Sequence, residues 1–533
     1  MTEPITKQME TEVARSELQE YLYLRQQRRR LFPLAALVGL CAGIIAILFR
    51  GALAGADSLR NLLFTKAHEQ PMWGWIFPVL FSAAGAAISL FLVRRYAPET
   101  KGSGIPFLEA VLQRLRELKW SRVLPVKFIG GVLAIGSGLA LGREGPTVQM
   151  GGAVGAAIAD GLKVSPRERL TLISAGAGAG LAAAFNAPLS GLVFVLEEVQ
   201  RDFHPVVFGT AFLAAAVADV VARLGADPFP VFNIPKYLAP PVETLPAFAI
   251  LGIVAGFLGV LFNRGLVTSL DLYARVKNKY LAVGVTGALI GLIGWFSPMA
   301  IGNGHPLAEM TLTGRIVLTA IPLWFAARFL LTITSYGTGV PGGIFAPLLV
   351  LGALIGLGVG EVALLVVPSA NVSPAAFAVV GMAAYFTAIV RAPLTGVVLI
   401  IEMTGNYEQM LPLLISCFFA YAIAESLKDL PIYEVLLERD LLQEGDPTNH
   451  DKPVVMDFTI QEGAPFEGKL VRSLGLPAGC ILVRCSDGRR EWVPKANTRL
   501  EANMLITAVI EPDATKGIIL LRNGCKSMHE KIK

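Results

Sequence analysis

Gly142-Arg143-Glu144-Gly145-Pro146 sets a carboxylate among residues that break or start helices, midway along an apolar stretch. An ionisable group at membrane depth is expensive and by default marks a functional site. Pro is well tolerated at the first helical position, so Pro146 is expected to open a helix running through Gln149 and Gly155. Glu144 then lies against unpaired amides and the positive dipole end of that helix, where anions bind. An acid that titrates where an anion binds is a gate. Ser103, between two glycines just ahead of Pro106, is a second helix-start arrangement. Its hydroxyl and the nearby amides suit an anion, and an ordinary N-cap explains the serine equally well. Ile344 and Phe345 offer no side-chain chemistry, but Gly342 and Gly343 free the backbone for close approach, so any contribution is through N–H groups. Lys127, just before the apolar run toward Gly142, is read as snorkelling to an interface rather than as a source of positive potential.

These residues need a scaffold, and composition indicates its type. The chain of 533 residues is 54% hydrophobic and 16% charged, against roughly 45–50% and about 25% in soluble proteins. Mean hydropathy is +0.58. Leu31–Phe49 and Pro71–Val93 carry no charge and are long enough to span about 30 Å of hydrocarbon. A signal peptide fits the first run poorly, because a long segment precedes it and no small-residue cleavage site follows cleanly. A polytopic membrane protein is expected. Arg28, Arg29 and Arg30 precede the first run, and Arg94 and Arg95 follow the second. An antiparallel pair of spans puts both clusters on one side, the cytoplasmic one by the positive-inside rule. With a net charge of only +5, these are orientation signals rather than a nucleic-acid surface. Five scattered cysteines and five dispersed histidines give neither a disulfide framework nor a metal motif, so no cofactor is expected.

Many of the apolar segments between residues 31 and 427 are short and interrupted by Gly or Pro. Such segments at matching positions in two halves point to a transporter binding site. Gly102-Ser103-Gly104-Ile105-Pro106 recurs as Gly302-Asn303-Gly304-His305-Pro306, an offset of 200 residues. Gly142-x-x-x-Pro146 recurs as Gly343-Ile344-Phe345-Ala346-Pro347 at an offset of 201, and Ala187-Pro188-Leu189-Ser190-Gly191 as Ala392-Pro393-Leu394-Thr395-Gly396 at 205. Three ordered matches with nearly constant offset indicate a duplication, parallel or inverted. Gly151 with Gly155, and Gly352 with Gly356, follow the helix-start motif in each half and are read as close-packing positions.

The differences between halves locate the chemistry. Glu144 aligns with Phe345, so one half carries the acid. Glu197 aligns with Glu402, a paired structural feature that satisfies backbone amides or an arginine such as Arg391. Glu198 aligns with Met403 and is the unpaired carboxylate. Two acids present in one half only fit a proton route, although a solvated helix end explains Glu198 about as well.

With these motifs in order, the chain resembles the CLC chloride channel and transporter family from roughly residue 32 to 440. Gly102–Pro106 (GSGIP), Gly142–Pro146 (GREGP) and Gly343–Pro347 (GIFAP) carry the resemblance. It implies an all-helical membrane domain of inverted repeats and a homodimer with a separate pore in each subunit. It also implies roles. The hydroxyls of Ser103 and Tyr433, with the amides of Ile344 and Phe345, hold a central chloride. Glu144, with amides around Arg143 and Gly145, forms the external gate. Glu198 falls at the position of the internal proton-transfer glutamate of the exchanger branch, and Ser103 matches the chloride-preferring pattern. The reading is a chloride/proton antiporter, with a voltage- or pH-gated passive chloride channel as the alternative. A membrane-embedded enzyme lacks a nucleophile or metal-ligand motif beside Glu144. A cation transporter fits poorly with helix N-termini aimed at the site.

Composition changes near residue 440. Leu442–Pro453 reads as a linker, and Val454–Ile460, Cys480–Arg484, Leu505–Ile510 and Ile518–Leu521 as short apolar or alternating runs of a small α/β domain with strands and a helix or two. Phe458–Val509 resembles the RCK_C (TrkA-C) regulatory domain, although Ala502-Asn503 stands where that family often has Gly-Asp. That resemblance implies a domain that pairs and either senses a small-molecule ligand to regulate transport or serves as a dimer-stabilising appendage. The expected organisation is a cytoplasmic N-terminal segment at 1–30, a transport domain at 31–440, a linker at 441–453, the RCK_C-like domain at 454–525 and a basic tail at 526–533. The expected location is the cytoplasmic membrane of a bacterium, with both termini inside.

Overall fold

The computed structural model describes residues 3–525 except 71, 202, 226–231, 233, 367–372, 444–452, 488–489 and 512–513. Most of the expected linker and all of the basic tail lie outside the described residues. The chain divides into two compact units, Met1–Glu438 and Arg439–Lys533.

The first unit is helical and doubled. Its first half comprises α1 (Glu3–His68), α2 (Ile76–Tyr96), α3 (Ile105–Leu112), α4 (Trp120–Gly136), α5 (Glu144–Gly161), α6 (Pro166–Phe185), α7 (Pro188–Phe194) and α8 (Pro205–Leu224). The second comprises α9 (Leu245–Arg275), α10 (Lys279–Phe296), α11 (His305–Leu312), α12 (Ile321–Gly337), α13 (Phe345–Val366), α14 (Pro374–Val390), α15 (Pro393–Thr404) and α16 (Met410–Ser426). Helix α17 (Ile432–Gln443) follows. Among the described residues, eight helices are long and apolar enough to cross a membrane. The segment before residue 31 is helical and runs without a break into the first apolar run, giving one helix of 66 residues.

Sequence-equivalent residues meet one another. Gly142 and Gly343 form an antiparallel bridge, each amide donating to the other's carbonyl at 2.7 and 2.8 Å. The Glu197 carboxylate accepts from the amides of Leu394 and Thr395 at 3.0 and 2.7 Å, and Glu402 accepts from those of Leu189 and Ser190 at 3.1 and 2.7 Å. Each acid therefore caps the short helix opened by the other half's Ala-Pro motif, as expected of a paired feature that satisfies backbone amides. Reciprocal contacts of this kind are what a two-fold relation between halves generates, the relation that the expected inverted repeat requires.

Lys127 differs from its expected place. It is fully buried, and its Nζ donates to the carbonyls of Thr100 and Gly102 at 3.0 and 2.7 Å. Its counterpart Arg328 is equally buried and donates through Nη1 to Ala300 and Gly302, both at 2.9 Å. In each half a basic side chain from the fourth helix pins the loop that leads into the short third helix. Snorkelling loses because the buried carbonyl of Thr100 takes its donor from the lysine, which shares the Gly102 carbonyl with the Gly342 amide at 3.0 Å.

The glycine pairs pack helices, as expected. A Cβ on Gly151 or Gly155 would stand 2.1 Å from the carbonyl oxygen of Gly176 or Leu172 in α6. On Gly352 or Gly356 it would stand 2.5 or 2.0 Å from that of Gly381 or Phe377 in α14. Helix α5 thus lies directly on α6, and α13 on α14.

The second unit holds a four-stranded antiparallel sheet in the order β1-β4-β2-β3, from β1 (Val454–Thr459), β2 (Cys480–Ser486), β3 (Glu491–Trp492) and β4 (Leu505–Ile510). The Ile518–Leu521 run lies in helix α18 (Thr515–Cys525), whose Leu521 and Cys525, four residues apart, face the core. Asn503, at the departure from Gly-Asp, takes φ 64°, which Asn tolerates far better than most residues. Burial pushes the Cys525 thiol up to about 11, keeping it protonated and unreactive.

Candidate functional site

The first unit centres on converging helix starts. Glu144 is the first residue of α5, with Arg143 as N-cap, so the helix begins two residues earlier than Pro146 suggests. The proline is accommodated because the first-turn amides have no intrahelical acceptor. Phe345 likewise opens α13, and Gly104, with φ 84°, precedes α3.

These starts touch. A Cβ on Gly145 would stand 2.8 Å from Ser103 Cβ, and one on Gly343 3.1 Å from the Gly145 amide nitrogen. The Glu144 carboxylate, 3% exposed, folds over Gly142 toward the start of α13. A Cβ on Gly142 would lie 2.3 Å from Glu144 Oε2 and 3.1 Å from the Ala346 amide nitrogen. The Arg143 guanidinium stands 4.0 Å from Glu144 Oε1 and donates to the Ala184 carbonyl at 3.3 Å. The Ala346 amide, in the first turn of α13 at its positive dipole end, lies on the same side of Gly142 as Glu144 Oε2, which accepts no hydrogen bond from the described residues.

Two hydroxyl groups border the same region. Ser103 is buried, and its Oγ accepts from the Ile105 amide at 3.3 Å, a cap that leaves the hydroxyl hydrogen free to donate. Tyr433, on α17, is buried, and its hydroxyl has no hydrogen-bond partner in the protein. It lies within electrostatic reach of Tyr336, Glu198, Glu109 and Glu144. A buried donor without an acceptor is costly. An anion held between hydroxyls and helix-start amides removes that cost. Ile344 and Phe345 are buried, the Phe345 ring packing on Phe386 at 4.7 Å and Phe194 at 5.7 Å.

Glu198 lies in one turn of π-helix, Val195–Val199, that continues α7, and is 3% exposed rather than a solvated helix end. Single π-turns often mark functional positions. A cavity of about 210 Å³ adjoins it, lined also by Glu109 and Arg201.

Ser103, Arg143, Glu144, Gly145, Ile344 and Phe345 therefore come together at the helix starts, while Tyr433 is coupled to Glu144 and Glu198 through electrostatics. Sequence reading missed Tyr336, whose hydroxyl stands 3.5 Å from the Ser103 amide, and Glu109, Arg201 and Glu434 around Glu198. No local pattern announces the tyrosine. Glu109 sits three residues after Pro106 on the short helix that Ser103 precedes, which was a usable signal.

The voltage gated chloride channel family model matches residues 85–425, and the TrkA-C domain model matches residues 455–519. The H(+)/Cl(-) exchange transporter ClcA of Vibrio parahaemolyticus is 39% identical over 447 residues, covering 82% of this chain and 96% of that protein. The transporter of the same name in Salmonella arizonae is 37% identical over 456 residues, with the same coverage of each chain. A solved structure of a slow cyanobacterial Cl-/H+ antiporter superposes with a TM-score of 0.76 at 36% identity, covering 78% of this chain and 99% of that one. A CLC-type fluoride/proton antiporter shares the fold, with a TM-score of 0.64 at 22% identity over 76% of this chain and 97% of that one.

Proposed function

The chain belongs to the voltage-gated chloride channel family, and from that premise we propose that it is a chloride/proton antiporter of the cytoplasmic membrane. The observation that carries this reading is the pair of buried carboxylates, Glu144 and Glu198, each present in one half of the repeat, with the unpartnered Tyr433 hydroxyl electrostatically coupled to both. An anion gate needs one acid; a proton path across the same unit needs a second.

In this reading the hydroxyls of Ser103 and Tyr433, with the amides of Ile344 and Phe345, hold a chloride ion that replaces water by fixed dipoles. Glu144 is the outer gate and proton acceptor, supported by Arg143 and the Gly145 amide. As a carboxylate it occupies anion space between the starts of α5 and α13. Protonated, it gives up its claim on those amides, and chloride takes its place. Glu198 relays the proton between this region and the cytoplasm. The protein is further proposed to act as a homodimer with one pore per subunit and with both termini inside, and its TrkA-C domain to take a small-molecule ligand that regulates transport.

Glu198→Gln in purified protein reconstituted into liposomes tests the assignment. Proton movement is expected to stop while chloride continues to pass. Proton movement persisting in that variant would remove Glu198 from the path.

A further inference from the structure

Arg201 follows the π-turn that carries Glu198 and takes φ 53°, a left-handed conformation uncommon for a residue with a side chain. Such outliers persist where surrounding structure holds them and cluster at functional sites. Here the conformation accompanies a guanidinium divided between two acids. Its Nη2 stands 3.7 Å from Glu198 Oε1, an ion pair too long for a hydrogen bond, while its Nη1 donates to Glu434 Oε1 on α17. Glu434 directly follows Tyr433.

Exposure grades across the three. The side chains of Arg201 and Glu434 are 45% and 40% exposed, and that of Glu198 is 4% exposed. The cavity of about 210 Å³ beneath Arg201 is lined by Glu109, Gln113, Glu198 and Gln200 among others. Oε1 of Glu109, of Glu198 and of Gln200 accepts no hydrogen bond from the protein. A polar space of this size with several unmatched acceptors suits water, the medium through which a proton travels.

Resting on the reading of Glu198 as inner relay, we propose that Glu434 holds Arg201 back from Glu198, leaving the relay carboxylate free to take up protons through this cavity. The charged groups facing Glu198 are Arg201, Glu434, Glu109 and Glu197, the last held by the amides opening α15. With two carboxylates competing for one guanidinium, the closer one governs where its charge acts. A partly exposed pair exchanges partners readily. Without Glu434, the guanidinium settles on Glu198 and stabilises it as an anion, opposing protonation. Arg201 and Glu434 are positioning residues for proton entry, acting through Glu198.

The test is chloride-driven proton flux of the full-length protein in liposomes, over a series of starting pH values equal on both faces. Glu434→Gln is expected to move the half-maximal pH of proton flux down by about one unit, with chloride flux retained as evidence of folding. Arg201→Gln is expected to move it up, and the double variant to follow Arg201→Gln. Glu434→Asp, which keeps the charge, is expected to restore the wild-type profile. A Glu434→Gln profile superimposable on wild type, or a double variant that keeps the acid shift, overturns the proposal. The Glu198→Gln control separates the two claims. Proton movement surviving in it defeats the relay reading and this proposal together. Its loss, with an unshifted Glu434→Gln profile, defeats the proposal alone.

Discussion

Glu144 reaches the start of α13 because Gly142 has no side chain. Gly142 is not in the left-handed region, so an alanine there is judged by space alone, and its Cβ would meet Glu144 Oε2 at 2.3 Å. Gly142→Ala is therefore expected to expel the carboxylate from between the two helix starts. Chloride flux in liposomes should then be high at neutral as well as acid pH; a pH dependence like that of wild type would contradict the gating role. The residues around this acid were legible because Gly and Pro write helix starts into sequence. Tyr433 was not, since Leu-Pro-Ile-Tyr-Glu carries no local signature and only the family resemblance pointed to it. Lys127 was misread for a related reason. Whether a lysine snorkels or is buried depends on carbonyls awaiting it, and those of Thr100 and Gly102 lie more than twenty residues upstream.

At the scale of elements, the repeat explains which polar groups are structural. Glu197 and Glu402 each cap the partner half's short helix, so the same contact is made twice across α7 and α15. Glu402→Ala leaves the Leu189 and Ser190 amides without that acceptor. The loss is expected to be about 1–3 kcal/mol, read as a lower thermal unfolding midpoint of the purified protein. Glu197→Ala should lose a similar amount, and an unchanged midpoint in either variant would refute the capping role. The pairing was legible because both acids stand ten residues after an Ala-Pro motif. The inverted relation was not, because offsets report order along the chain but not direction through a membrane. The π-turn at Val195–Val199 and the left-handed Arg201 were also illegible, since both are set by packing rather than by local propensity.

For the whole molecule, symmetry supplies the scaffold, and the proposed chemistry lies where that symmetry is broken. Both halves start a helix just after equivalent glycines, both pin a loop with a buried basic side chain, and both cap a helix with a glutamate. Only the first places acids at the positions filled by Phe345 and Met403 in the second. A duplicated set of helix starts alone suits anion passage; in the proposed function the two added acids join a proton to it. The most direct test places wild-type protein in liposomes with a chloride gradient and no initial proton gradient. Chloride flow is expected to drive protons in the opposite direction, establishing a pH difference against their own gradient. Chloride flux with no proton movement would contradict antiport and leave a passive channel.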